Sequence, residues 1–204
     1  MSRTLVAGIG NIFFGDDAFG VAVAGRLAGR ALPEGVRVED FGIRSVHLAY
    51  ELLDGYDTLV LVDALATGET PGTVSVFEPS LDDLPAATMD AHTMDPATVL
   101  ATLAGLGGEV GRVLIVGCEP EGIDEGMGLS PPVAAAIDIA AETVMDLVGA
   151  TRPWRGDGNT GDHLLGAHRG GRDRRRGPFP GFAARPVALP ACQADVMPRP
   201  VEVA

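Results

Sequence analysis

The heptapeptide Thr58-Leu59-Val60-Leu61-Val62-Asp63-Ala64 holds Leu or Val at four successive positions and then ends in a carboxylate. A strand with one wetted face alternates apolar and polar residues. This run is apolar on both faces, as in a strand covered on both sides within a parallel sheet. Outward from it, Thr4-Leu5-Val6-Ala7-Gly8-Ile9-Gly10 and residues 112–117 have the same character, while residues 36–41 alternate and read as a further strand. Helical patterns separate them. Residues 18–31 carry Val21, Val23, Leu27 and Ala28 and meet the stop signals Gly29 and Pro33; residues 45–54 close at Gly55; a third helix covers about 95–106. Pro131-Pro132 opens a last helix to about 149, proline being accepted in a first turn. Residues 73–78 alternate after Pro71-Gly72 and fit an edge or antiparallel strand. The alternation predicts a three-layer α/β/α fold around a mostly parallel five-stranded sheet, mixed if residues 73–78 run antiparallel.

Composition sets further bounds. The chain has 204 residues, 28 acidic and 15 basic, and all 15 basic residues are Arg. The net charge of −13 argues against a nucleic-acid-binding module, which needs clustered cations. Two cysteines, Cys118 and Cys192, allow neither a disulfide framework nor a thiolate zinc site, which fits a reducing cytoplasm. Arg3 with the apolar residues 5–9 and 12–14 has a faint likeness to a signal peptide, but Asn11, Asp16 and Asp17 interrupt it. No apolar stretch reaches the roughly 18–20 residues of a membrane span. A soluble, cytoplasmic protein is therefore expected. Charge also marks a boundary: residues 1–150 carry a net −17, and residues 151–204 a net +4 with 8 Gly, 7 Pro and five Arg within 169–176. That composition predicts a domain over 1–150 and a disordered extension over 151–204, or a basic arm that touches an acidic partner.

In such sheets ligands bind beyond the carboxyl ends of the strands. The first strand leads through Gly8-Ile9-Gly10-Asn11 to Gly15-Asp16-Asp17, the second ends in Asp40-Phe41-Gly42 and the third in Asp63. A dinucleotide fingerprint fails because Phe13 occupies the third glycine position and two carboxylates would repel a pyrophosphate; a phosphate-binding P-loop fails for want of lysine. Asp16 and Asp17 also suit a tight turn whose acids favour a helix N-terminus. Asp63 must face a cleft, a metal or a hydrogen-bond network, since a charge at the end of an apolar strand is rarely left unpaired. His92, just before the third helix, reads alone as a solvated or helix-entry side chain. Yet Asp17, Asp63 and His92 fall on one rim of the expected sheet. An O,O,N set with open positions suits a divalent first-row ion. Cys118 reads as a small buried thiol and His47 as an exposed or capping residue in a helix's first turn.

Taken together, Gly8-x-Gly10-Asn11, Asp16-Asp17-x-x-Gly20, the strand ending Asp63-Ala64, His92 before a helix and Val116-Gly117-x-Glu119-Pro120 resemble the hydrogenase maturation proteases. The resemblance spans about residues 3–149. It implies an endopeptidase that removes the C-terminal extension of a nickel-loaded large-subunit precursor of a nickel–iron hydrogenase. By the same resemblance, Asp17, Asp63 and His92 bind the metal and take part in catalysis. The nickel is supplied by the precursor, no organic cofactor is needed, and the ion polarises the scissile carbonyl or supplies a hydroxide. The first ligand is commonly Glu in the family, so Asp17 is a shorter carboxylate. The loop after the second strand, often Asp-Gly-Gly-Thr, here reads Asp40-Phe41-Gly42-Ile43-Arg44, which implies substrate recognition by Asp40 and Gly42. The competing reading is a non-catalytic metal- or nucleotide-binding α/β module acting as an assembly chaperone.

Overall fold

The computed structural model describes residues 2–79, 96–149 and 184–186. Five strands, β1 (Thr4–Ile9), β2 (Val36–Gly42), β3 (Thr58–Ala64), β4 (Val74–Pro79) and β5 (Arg112–Cys118), form one sheet, and a three-residue strand, β6 (Ala184–Pro186), extends it to the order β2-β1-β3-β5-β4-β6. The first three and β5 are mutually parallel; β4 runs antiparallel to β5, Val74 pairing with Cys118, and β6 antiparallel to β4. The expected five-stranded, mostly parallel sheet is therefore present. Its antiparallel member is the segment after Pro71-Gly72, and the sixth strand comes from the Gly/Pro-rich segment after residue 150.

Alternate residues of each strand feed two cores. Leu5, Ala7 and Ile9 of β1, with Leu59, Leu61, Val113 and Ile115, meet Leu48 and Leu52 of α2 (Ser45–Leu52) and Val99 and Leu103 of α3 (Pro96–Gly105). On the other face Val6, Val60, Val62, Leu114 and Val116 meet Phe19, Val23 and Leu27 of α1 (Phe19–Ala28) and Val133, Ala136 and Ala140 of α4 (Pro131–Gly149). The unbroken Leu/Val runs are thus apolar on both sides because helices cover both sides.

Close packing of α1 on the sheet depends on glycine. A Cβ on Gly20 would lie 2.1 Å from the carbonyl oxygen of Val62 and 2.3 Å from that of Ile9; one on Gly8 would lie 2.2 Å from the carbonyl oxygen of Gly20. The close approach that the dinucleotide pattern assigns to its third glycine is made here by Gly20, which leaves Phe13 free to point elsewhere.

The connections define where a ligand can enter. From β1 the chain passes through α1 on one face to β2, then through α2 on the opposite face back across β1 to β3. The strand order reverses between β1 and β3, so the loops leaving these two strands separate and open a crevice at their carboxyl ends. No helix among the described residues is long and apolar enough to cross a membrane.

Candidate active site

Asp16, Asp17, Asp63 and Glu119, at or just beyond the carboxyl ends of β1, β3 and β5, take two distinct roles, and the adjacent pair Asp16-Asp17 is divided between them. A 3-10 turn, Gly15–Ala18, precedes α1 and packs against β3. It begins after Gly10, whose φ of +125° is readily adopted only by glycine. The turn sends the two aspartates in different directions.

Asp16 is 1% exposed. Its Oδ1 accepts from the Ser130 N–H at 2.6 Å, and its Oδ2 from the Glu121 N–H at 2.8 Å, the Gly122 N–H at 3.3 Å and the Ser130 hydroxyl at 2.9 Å. Burial raises its pKa, but these bonds together outweigh burial and hold it below the ordinary value. Ser130 directly precedes α4, so Asp16 lies at that helix's positive end. The expectation that an acid here serves a helix N-terminus is met, but at α4 rather than α1, which has no side-chain cap.

Glu119, 8% exposed, does the equivalent work on the opposite side. Its Oε2 accepts from the N–H groups of Thr67 (2.7 Å), Gly68 (3.0 Å) and Glu69 (3.2 Å) and from the Thr67 hydroxyl at 2.6 Å. Burial again raises its pKa, and the hydrogen bonds, led by those of Thr67, bring it below the usual value. Glu119 thereby fastens the loop that leaves β3 immediately beyond Asp63. Sequence reading found Glu119 as part of a pattern but gave it no task. A carboxylate after the apolar run Val113–Cys118 was the available signal, since such a group must find buried donors.

Asp17 and Asp63 are the other pair. Asp17 is half-buried; its Oδ2 accepts from the Asn11 N–H at 2.6 Å. Asp63, 9% exposed, accepts from the Ala64 N–H at 2.8 Å through Oδ1. The first belongs to the turn after β1 and the second to the end of β3, so they flank the crevice from its two sides. Asp40, exposed, and Gly42 end β2 on the same rim, where Gly8 pairs with Asp40 and Ile9 with Gly42. His92 lies outside the described residues. Among those described, no three Asp, Glu, His or Cys side chains form a complete metal-binding group. Of the five expected residues, Asp17 lies in the turn after β1, Asp63 at the end of β3, and Asp40 and Gly42 at the end of β2.

Chemically, carboxylates are hard oxygen donors that suit a divalent cation, with nitrogen from an imidazole as the natural complement. Among the described residues the one cysteine is not a nucleophile. Cys118 is fully buried, and its thiol is pushed up to about 11, first by burial and then by the charges of Asp16 and Glu119. His47 is exposed in the first turn of α2.

Comparisons with known proteins concern the sequence and the fold. The sequence profile of the hydrogenase maturation protease family matches residues 21–147. The hydrogenase expression/formation protein HupD of Rhodobacter capsulatus is 37% identical over 159 residues, which cover 74% of this chain and 72% of that protein. The hydrogenase 2 maturation protease of Escherichia coli K12 is 32% identical over 148 residues, covering 70% of this chain and 88% of that one. The solved structure of the hydrogenase maturating endopeptidase HybD from E. coli superposes with a TM-score of 0.60 at 29% identity over 72% of this chain and 92% of that one. With its sequence and its fold both matching, the chain belongs to the hydrogenase maturation proteases.

Proposed function

We propose that the protein is the endopeptidase that removes the C-terminal extension of a nickel–iron hydrogenase large-subunit precursor, and that it acts once the precursor carries nickel. The observation that supports this most is the location of Asp17, in the turn after β1, and Asp63, at the end of β3, at the β1/β3 switch point. Carboxylates held on separate elements, a turn and a strand end, can grip an ion carried in by a client without collapsing on each other beforehand. In this reading Asp17, Asp63 and His92 ligate the client's nickel, and the protein brings no metal or organic cofactor of its own. The ion's Lewis acidity polarises the scissile carbonyl for attack by water. The bond broken is the peptide C–N bond; the carbonyl carbon gains the water oxygen and the leaving amine gains a proton. Asp16 and Glu119 touch no substrate; they hold the two loops in register.

The test is direct. The purified protein, incubated with nickel-loaded and nickel-free precursor, is expected to shorten only the loaded form, read as a mass shift of the large subunit. Asp17→Asn and His92→Ala are expected to fold normally and to lose processing by about two orders of magnitude or more. Equal cleavage of both precursor forms would remove nickel from the reading. An intact loaded precursor would leave the non-catalytic assembly role in its place.

A further inference from the structure

Among the described residues the sheet has one long uncovered edge. On the far side β4 is covered by β6, whereas β2 has β1 on one side and no strand on the other. β1 is buried almost throughout; β2 stays half-buried or exposed from Val36 to Asp40. In a parallel ladder a residue turns its N–H and C=O to the same side, and successive residues alternate. Gly35 offers its carbonyl to the Thr4 N–H at 2.9 Å, so the backbones of Arg37 and Glu39 face β1 while those of Val36, Val38 and Asp40 face outward. Two of the outward groups are held locally: the Val36 N–H donates to the Pro33 carbonyl at 3.1 Å, and the Asp40 carbonyl accepts from the Arg44 guanidinium. Among the described residues no partner meets the N–H or C=O of Val38, the Val36 carbonyl or the Asp40 N–H.

Open strands are commonly guarded by charge or by bulges. In β2 the register shift comes only at the far end, between Asp40 and Gly42, and the charges are complementary to themselves. Turned antiparallel about Val38, the sequence Val36-Arg37-Val38-Glu39-Asp40 sets each Arg37 opposite Glu39 of a second copy and Val38 opposite Val38. Because Val38 faces outward, the central pair is the kind that exchanges both backbone bonds. The Arg37/Glu39 pairs are then the closer kind, about 4.5 Å apart at Cα. Both faces of the strand suit this register. Arg37 and Glu39 lie on the α2 side, where Arg37 pairs with Glu39 and with Glu51 of α2 and its side chain is still half-exposed. Val36 and Val38 lie on the other side, only partly buried against the α1/α4 core.

We infer that β2 is a homodimer surface, on which a second copy of this chain adds its own β2 antiparallel, about a two-fold axis at Val38, and extends the sheet across both molecules. The net charge of −13 on each chain opposes contact. At the seam, however, each Arg37 meets carboxylates at short range, its own Glu39 and that of the copy, and a Debye length of about 8 Å at physiological salt limits repulsion from the rest. One strand and its flanking side chains make a small interface, so the dimer is weak and depends on concentration. Since the paired strands run in opposite directions, the two crevices open at opposite ends of the joint sheet.

Sedimentation of the full chain tests the surface. A reversible dimer at about 100 µM that dissociates on dilution toward ~1 µM is expected, with slowed hydrogen exchange of the Val38 amide in the dimer. Arg37→Glu and Glu39→Arg each set like charges opposite one another and are expected to weaken the dimer at least about tenfold. Mixed in equal amounts, the two variants are expected to pair again, because every cross-strand contact between them is of opposite charge. Val38→Pro removes the central donor at an edge position that tolerates proline, and is expected to leave a folded monomer. A full chain that is monomeric at every concentration overturns the inference. So does a dimer that both single charge variants retain, or a pair of charge variants that stays apart when mixed. A monomer whose Val38 amide gains protection only with precursor present also overturns it, since the client then takes the edge.

Discussion

Asp16 and Asp17 are adjacent, identical in chemistry and opposite in use. One accepts four hydrogen bonds in the interior; the other stands half-buried on the crevice. Nothing in the pair of letters separates them, because the choice depends on donors more than 100 residues away in sequence, at Glu121, Gly122 and Ser130. Asp16→Asn would place an amide N–H₂ against groups that are all donors and remove the charge, at a cost of about 2–3 kcal/mol at pH 7. The pH dependence has a definite sign. The folded-state pKa of Asp16 is depressed below its ordinary 3.8, so its contribution is complete above that value. It is lost as pH falls through the lower folded value, because the unfolded chain takes up the proton first. Urea unfolding of the native chain and of Asp16→Asn should therefore show a gap at pH 7 that narrows toward pH 2. A gap independent of pH would mean that the carboxylate charge contributes nothing.

Among elements, those that carry their own signal were legible. β3 and β5 announce themselves by continuous Leu, Ile and Val, and α4 by Pro131-Pro132 at its start; their extents match the expectation closely. α1 covers Phe19–Ala28 rather than 18–31: at its start residues 15–18 tighten into a 3-10 turn whose shape depends on contacts with the 121–130 loop, among them the Gly15 N–H to the Gly126 carbonyl at 2.9 Å. β6 could not be read at all: three residues have no periodicity, and their partner β4 is distant in sequence. The rim was legible as positions at strand ends, but its division into loop-fastening and crevice-facing carboxylates was not. His92 lies outside the described residues. Element packing also gives paired substitutions of opposite sign within α1. In Gly20→Ala the new Cβ meets backbone atoms of Val62 and Ile9, which cannot yield without moving strands; a loss of about 3 kcal/mol is expected. Gly25, exposed on the same helix, has nothing within 4 Å of a new Cβ, and Gly25→Ala should gain about 0.5–1 kcal/mol from helix propensity. Thermal unfolding of the two variants checks both; equal effects would show that α1 does not seat against the sheet as described.

At the scale of the whole molecule, the family profile ends at residue 147, while β6 draws residues 184–186 onto the outer side of β4. Two effects compete if residues 150–204 are removed. Uncovering β4 exposes an unpaired edge, which favours association between copies. Removing a segment of net charge +4 leaves the remainder at −17, which opposes association by repulsion. Repulsion should win, because the uncovered edge is short and ends in Glu78-Pro79, a charge and a residue that cannot donate to a new ladder. A three-residue pairing supplies few backbone hydrogen bonds, each about 1 kcal/mol net, and for a chain of this size each kcal/mol moves Tm by roughly 2–4 °C. The chain ending at residue 149 is therefore expected to stay monomeric if the full chain is, to lose on the order of 5 °C in Tm, and to process loaded precursor with unchanged kcat/KM. Sedimentation, thermal unfolding and the mass-shift assay read the three quantities on one preparation. Loss of processing with the fold retained would assign the basic segment a part in client binding, and the acidic domain alone would no longer account for the site.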